Sequence, residues 1–234
     1  WLKTSLTARM LMIGILIILV ISWALLYLAE RKSLLVLGIV PNRKRLQQFG
    51  IGFLLTSLLC LSVQFLEINL KSTKWLLNKE IELNLILRML FWDLKSVITE
   101  ELIFRGALLY ILIQKLGKLK GIIISSIAFG IYHWFTFEIL GSIIPMIVVF
   151  IGTGLMGYAF ALSFSKTKSI AMPIGLHLGW NFTVNTIFSN GPLGNGIILS
   201  ESNNINSDWF SLIGLWVVPI IILFFVKVSV PQNN

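Results

Sequence analysis

The sequence is poor in charged residues and contains a single cysteine and two histidines. Charged residues make up 12% of the 234-residue chain and hydrophobic residues make up 56%, whereas about 25% of the residues in soluble domains are charged. Cys60 lies inside an apolar run and supports neither a disulfide framework nor a CxxC metal or redox motif. The composition therefore excludes an ordinary soluble domain and a disulfide-stabilised fold.

The sequence contains four long runs without any charged residue. Residues 10–29, 46–66, 139–165 and 209–226 contain no Asp, Glu, Lys or Arg, and a helix of roughly 20 apolar residues crosses a hydrocarbon core. The first run ends in the bulky residues Trp23, Leu25, Leu26 and Tyr27 rather than in a small-residue cleavage pattern, so we interpret it as a retained span and not as a cleaved signal peptide. The sequence predicts an all-α, polytopic transmembrane bundle with spans near 10–29, 46–68, 101–116, 120–137, 140–164, 169–188 and 209–228.

The segment 81–99 is ambiguous. Four charged residues interrupt it, so it is either a weak eighth span or an amphipathic helix on the membrane surface. The prediction is therefore seven to eight spans. Residues 190–207 form a polar loop rich in Gly, Asn and Ser, and no repeat or linker divides the chain. We expect a single integral membrane domain, 1–234.

The net charge of +9 indicates membrane flanks rather than a nucleic-acid partner. Basic residues cluster between apolar runs, as at 43–45 and 115–120, and no aromatic residues alternate with a basic stripe. With seven spans, eleven of the Lys and Arg residues that clearly lie outside the spans fall on one side of the membrane and five fall on the other. The positive-inside rule then predicts a multi-pass protein of the cell membrane with a cytoplasmic C-terminus and the lipid bilayer as its partner.

Three apolar segments contain polar or ionisable side chains, which are costly in a membrane and are candidates for function. At helical spacing Glu101 and Arg105 share a face and can pair, whereas Glu100 points elsewhere and is free to face a cavity. Phe129 lies one turn before His133 and is expected to wall the site. The candidate site residues are Glu100, Glu101, Arg105, His133, His177 and Asn181.

Each of these residues also has a purely structural explanation. Glu101 and Arg105 fit a structural ion pair, and Glu100 fits a charge at a helix N-terminus. A single buried histidine or asparagine commonly forms a packing hydrogen bond. Together, however, a carboxylate, two imidazoles and an amide on separate helices are what a water-activating site requires.

The three motifs, EExxxR at 100–105, FxxxH at 129–133 and HxxxN at 177–181, resemble those of the CAAX-protease and bacteriocin-processing (CPBP) family. The resemblance covers about residues 95–185, the expected catalytic core. It implies an intramembrane endopeptidase that acts on a peptide or protein substrate, including prenylated CAAX proteins. It also implies that Glu100 with His133 activates water, that His177 and Asn181 stabilise the oxyanion, and that Glu101 and Arg105 hold the first motif helix.

A metal is the open alternative. HExxH, the usual helical zinc pair, is absent, and a catalytic zinc needs three protein ligands. Glu100, His133 and His177 are the residues that would supply them. We favour a metal-free mechanism without a cofactor and keep the zinc-dependent peptidase as the alternative.

Two other functions fit part of the pattern. Intramembrane Glu and His relay protons in coupled transporters, although the inverted repeats of transporters are not detectable here. A catalytically silent scaffold that binds a partner through the same cavity is the third possibility. The charge distribution further predicts that the site opens toward the extracytoplasmic half of the membrane, on the side of the loop 190–207.

Overall fold

The fold is a bundle of helices, 78% helical overall. The structure is a computed structural model that describes residues 2–71, 74–189, 191–201 and 208–232, with side chains described for 13–69, 74–189, 191–200 and 214–232. The helices are α1 (Leu2–Glu30), α2 (Arg43–Lys71), α3 (Leu83–Phe104), α4 (Ala107–Leu116), α5 (Lys118–Thr136), α6 (Ile143–Thr167), α7 (Ala171–Phe182) and α8 (Asp208–Ser229). A 3-10 helix, Leu34–Leu37, follows α1, and a π-helical turn, Thr183–Ile187, extends α7.

The expectation of an all-α fold needs one correction. Two short strands, β1 (Lys74–Leu77) and β2 (Ile198–Glu201), pair in antiparallel register, with Lys74 opposite Glu201. β2 lies within the predicted polar loop 190–207, of which residues 190 and 202–207 are outside the described residues. This pairing ties the α2–α3 connection to the loop that precedes α8 at one end of the bundle, called here the strand end.

The interpretation of 81–99 and 101–116 as separate segments is wrong. α3 is continuous from Leu83 to Phe104 and carries both glutamates of the first motif. It ends at Arg105, and α4 starts after Gly106. A Cβ atom at Gly106 would lie 2.1 Å from the Leu102 carbonyl oxygen, so the tight break between the helices requires glycine.

The predicted number of spans is not confirmed. Within the described residues, three helical segments are long and apolar enough to cross a membrane: Ile13–Glu30, Arg43–Asn69 and Ile143–Thr167. Gly214–Ser229 is a shorter apolar helix. α3 is interrupted by charged residues, and α4 and α7 are short, because breaks and a π-helical turn divide the apolar runs that the sequence presents as continuous.

α7 is the central element, packed against α2, α3 and α6. At its start the Ile170 N–H donates to the Leu37 carbonyl, which fixes the end of the bundle opposite the strand end. Lys166 donates to the carbonyls of Val226 and Lys227 at this same end and so caps α8. We call this end, where Lys118, Lys166 and Lys168 lie, the basic end. α7 therefore runs from the basic end toward the strand end through the middle of the protein.

Candidate active site

The pairing of Glu101 with Arg105 is confirmed. Arg105 Nη1 lies 2.9 Å from Glu101 Oε1, and both side chains are 0% exposed. Both residues lie at the C-terminal end of α3, four positions apart, as the helical spacing requires. A fully buried ion pair of this kind depends on both partners, because either charge alone would be left in a medium that cannot solvate it.

Glu101 has a second contact that the sequence did not predict. His177 Nδ1 lies 2.8 Å from Glu101 Oε1 across the interface between α3 and α7. Because the carboxylate paired with Arg105 is ionised and only accepts hydrogen bonds, Nδ1 carries a proton and donates it to this contact. The contact fixes the orientation of the ring and leaves Nε2 as the nitrogen available for chemistry.

Aromatic rings enclose the Arg105 guanidinium. Its Cζ atom lies 4.0 Å from the centroid of Phe129 and 5.1 Å from that of Phe160, and Nη2 donates to the Gly157 carbonyl at 3.3 Å. Cation–π contacts at these distances stabilise a charge that water cannot reach. Arg105 therefore connects the end of α3 to α5 and α6 from a fully buried position.

Glu100 takes a different environment from its neighbour, as its rotation on the helix predicted. Ser96 Oγ donates to Glu100 Oε1 at 3.3 Å. Its other oxygen, Oε2, lies 3.9 Å from His177 Nε2 and is buried with no hydrogen-bond partner within the described part of the chain. These two atoms are too far apart to bond to each other, but a single group lying beside them could bond to both.

His133 is anchored in the same manner as His177. Its Nδ1 lies 2.8 Å from the Phe129 carbonyl oxygen, which only accepts, so Nδ1 carries the proton and Nε2 is free. The Phe129 ring packs edge-on against both imidazoles, with centroid distances of 4.5 Å to His133 and 6.1 Å to His177. Phe129 thus lies between the two histidines and walls the site, as predicted.

A cavity of about 150 Å³ opens between α5, α6, α7 and α8. Among its lining residues are His133, His177 and Asn181, and Glu100 adjoins it through His177. The lining comes from the C-terminal part of α5 and the N-terminal part of α8, which are the parts nearer the strand end. The remaining lining residues are Phe129, Phe137, Gly152, Thr153, Met156, Phe160, Trp180, Gly214 and Leu215.

The zinc alternative can be compared with the placement of its three predicted ligands, Glu100, His133 and His177. A catalytic zinc requires three protein ligands at about 2 Å from the ion. No group of three or more His, Cys, Asp or Glu side chains in the described ranges is placed so that it could hold a metal ion. Glu101 and the Phe129 carbonyl bond to the Nδ1 atoms of the two histidines, so only the Nε2 atoms could act as ligands.

Sequence reasoning missed several residues that shape the site. Phe160 contacts both Arg105 and His177, but it lies in an apolar helix and nothing in the sequence distinguishes it from its neighbours. Asp93 is different, because an aspartate in a largely apolar helix is itself a signal. It is 2% exposed and accepts a hydrogen bond from Asn185 at 2.7 Å.

Comparison with protein families supports the resemblance drawn from the three motifs. Residues 82–183 match the family model described as type II CAAX prenyl endopeptidase Rce1-like. The match extends from the start of α3 to the end of α7 and contains all six candidate residues. No curated protein and no solved structure matches the chain significantly.

The family match confirms the resemblance to the CPBP peptidases and indicates a peptidase, that is, a hydrolase. Together with the long apolar helices it indicates an integral membrane protein. The matched segment is shorter than half of the 234-residue chain and leaves out α1, α2 and α8.

Proposed function

We propose that this protein is an intramembrane endopeptidase that hydrolyses a peptide bond of a membrane-associated substrate of the prenylated CAAX type, using water activated by Glu100. The observation that carries the proposal is the approach of Glu100 Oε2 to His177 Nε2, 3.9 Å apart at the edge of a cavity lined by both histidines and Asn181. Two imidazoles and an amide thus line one small space, and the proposed base reaches its edge at His177.

In the proposed reaction a water molecule binds between Glu100 and the Nε2 atoms of His133 and His177. Glu100 removes one proton from the water while the oxygen attacks the carbonyl carbon of the substrate. The same carboxyl group then gives the proton to the nitrogen of the departing peptide as the C–N bond breaks. The second proton of the water remains on the new carboxyl group of the product, and the Glu100 carboxylate is regenerated.

His177 and Asn181 are proposed to stabilise the oxyanion of the tetrahedral intermediate. They are four positions apart on α7 and both line the cavity. The Glu101 carboxylate behind Nδ1 fixes the orientation of the His177 ring, and a proton on its Nε2 can be donated to an oxyanion. Arg105 and Glu101 hold α3 and this ring in place without contacting the substrate.

We propose that the mechanism is metal-free. Two points support this proposal: a glutamate base needs no metal to activate water, and no three ligand side chains in the described part of the chain are grouped as a zinc site requires. The test is exhaustive chelation of purified active protein, after which we expect activity to survive. Activity that is lost on removal of stoichiometric zinc, and returns with zinc, would establish the zinc-dependent alternative.

The orientation in the membrane is proposed from charge. The basic end carries Lys118, Lys166 and Lys168 and the C-terminus of α8, and we place it in the cytoplasm. The cavity then opens toward the extracytoplasmic half. Single cysteines in 191–200, introduced with Cys60 replaced by serine, should react with an impermeant thiol reagent on intact cells. Reaction only after permeabilisation would reverse the orientation.

The decisive test of function is cleavage of defined peptides by the purified protein in detergent or lipid nanodiscs. The probe is an internally quenched farnesylated peptide that ends in a CAAX sequence, with the unprenylated peptide as its control. We expect cleavage by the wild-type protein and none by Glu100→Gln at equal folded concentration. Full activity in Glu100→Gln would refute Glu100 as the base, and cleavage of neither peptide by the wild type would refute the substrate class.

A further inference from the structure

Asp93 is a buried acid that the proposed reaction does not use. It lies on α3, 2% exposed, and its Oδ1 accepts a hydrogen bond of 2.7 Å from the Nδ2 of Asn185. Its second oxygen, Oδ2, has no hydrogen-bond partner within the residues that the structure describes. A carboxylate in such surroundings is costly, and its presence calls for a function beyond packing.

The Asp93–Asn185 hydrogen bond and the Glu101–His177 hydrogen bond are separated by the same number of residues on both segments. Along α3, Asp93 precedes Glu101 by eight positions, and beyond α7 Asn185 follows His177 by eight. The two segments run antiparallel, so Glu101–His177 and Asp93–Asn185 are two ties of a single helix pairing. Eight positions correspond to about 12 Å along a helix. Asn181 lies midway between the ties.

The π-helical turn Thr183–Ile187 changes the direction in which Asn185 points. At 3.6 residues per turn, eight positions would leave Asn185 rotated by about 80° from His177. The Phe188 N–H donates to the Thr183 carbonyl at 3.1 Å, an i→i+5 bond that widens this turn. The wider turn reduces the offset and returns Asn185 toward the face that carries His177 and meets α3.

From this register we infer that Asp93 and Asn185 are positioning residues: their hydrogen bond holds α7 against α3 so that His177 and Asn181 face the cavity beside Glu100. Without it, Glu101–His177 would be the one remaining hydrogen bond between these two segments in the described residues, and the rotation of α7 against α3 would be set less firmly. Asn181, four positions from His177, would then move relative to the reacting atoms. The inference rests on the proposed function, because it assigns these residues a part in that reaction.

A reciprocal exchange tests the pair. Asp93→Leu and Asn185→Leu remove the bond, Asn185→Asp places two carboxylates together, and the double variant Asp93→Asn/Asn185→Asp restores a carboxylate–amide bond with the groups exchanged. On the farnesylated peptide we expect kcat of the Leu variants and of Asn185→Asp to fall by roughly 100-fold, the scale associated with about 1 Å of misplacement. KM should stay within about threefold, and the exchanged double variant should recover most of kcat.

Thermal unfolding of each variant, measured in the same detergent, separates positioning from folding. A positioning role predicts that kcat falls in samples that remain fully folded at the assay temperature. Activity that falls only in proportion to the unfolded fraction, or an exchanged variant no more active than Asn185→Asp, would overturn the inference. If the wild-type protein cleaves neither peptide, the result contradicts the proposed function instead. Non-additive changes in the unfolding temperatures of the single and double variants would then show that Asp93 and Asn185 interact, without a catalytic role.

Discussion

The two faces of α7 differ in how they hold the helix. One face carries Gly175 and Gly179 and packs against α2 so closely that a Cβ atom at either position would lie 2.2 Å from a backbone oxygen, that of Phe49 or Phe53. The other face, about 200° away at His177, meets α3 through charged hydrogen bonds. On the first side, called here the glycine face, close packing sets the distance between α7 and α2. On the side of His177, the histidine face, hydrogen bonds set the rotation and register of α7 relative to α3.

The difference between these faces shows why the site lies where it does. Close glycine packing needs no polar group and tolerates an apolar surrounding. The polar face is expensive to bury, and it carries His177 and Asn181, which both line the cavity. The adjacent glutamates beside this face also differ: Glu101 Oε1 bonds to both Arg105 and His177, whereas Glu100 accepts one hydrogen bond, from Ser96. The second oxygen of each has no hydrogen-bond partner among the described residues. Structure and chemistry are thus divided between neighbouring residues.

The largest expected effect separates the two glutamates. Glu100→Gln keeps the shape of the side chain but removes the proposed base, so kcat should fall by about 10²–10⁴-fold with little change in thermal stability. Parallel cleavage assays and thermal unfolding of the purified variant provide the measurement. A Glu100→Gln protein that unfolds many degrees below wild type would show that Glu100 is structural as well.

Breaking the buried pair should affect folding most strongly. Arg105→Met leaves Glu101 charged and buried without its partner, at a cost of about 3–5 kcal/mol in the free energy of unfolding. The matched control is Lys115→Met, because Lys115 forms an ion pair of 3.0 Å with Glu30 although its side chain is 59% exposed. That variant should lose no more than about 1 kcal/mol.

Equal stability losses in Arg105→Met and Lys115→Met would contradict the account of a buried pair. A combined Glu101→Leu/Arg105→Met variant sharpens the test, since it removes both charges together. It should regain part of the stability lost in Arg105→Met, yet remain inactive because His177 loses the carboxylate that fixes its ring.

Substitutions on the glycine face of α7 should lower stability only through the volume of the added side chain. Gly179→Ala places a methyl group 2.2 Å from the Phe53 carbonyl oxygen and 2.4 Å from Thr56 Oγ1, so α2 and α7 must separate. We expect a loss of about 1–3 kcal/mol. Gly50→Ala on α2 is the control, because no described atom lies within 4 Å of its Cβ position. It should be neutral or slightly stabilising, since alanine favours the helix; matching losses in both variants would refute close packing as the cause.

Much of the site could be predicted because its signals are local. Glu101 and Arg105, or His177 and Asn181, are four positions apart on one helix, and polar residues stand out in an apolar chain. The contact between Glu101 and His177 could not be predicted, because it depends on how α3 packs against α7. Phe160 carries no signal in an apolar helix, although it lies against both Arg105 and His177.

The fold was predicted less completely, for a related reason. Hydropathy detects apolar runs, but it does not detect where a run is broken by backbone geometry. The break at Gly106 and the π-helical turn after Phe182 arise from close contacts and hydrogen bonds rather than from a loss of hydrophobicity. The pairing of β1 with β2 joins segments more than a hundred positions apart, which no local pattern indicates.

The smallest expected effect concerns the single hydrogen bond that orients Glu100. Ser96 Oγ donates to Glu100 Oε1 at 3.3 Å, a long bond whose contribution to orientation is about 0.5–1.5 kcal/mol. Ser96→Ala should therefore lower kcat about two- to tenfold and leave KM unchanged. Thr99→Ala is the matched control on the same helix, because Thr99 Oγ1 donates to the Lys95 carbonyl rather than to a carboxylate. Side-by-side kinetics on the farnesylated peptide decide the point: if both alanine variants lose activity equally, the loss reflects α3 itself, and Ser96 does not orient the base.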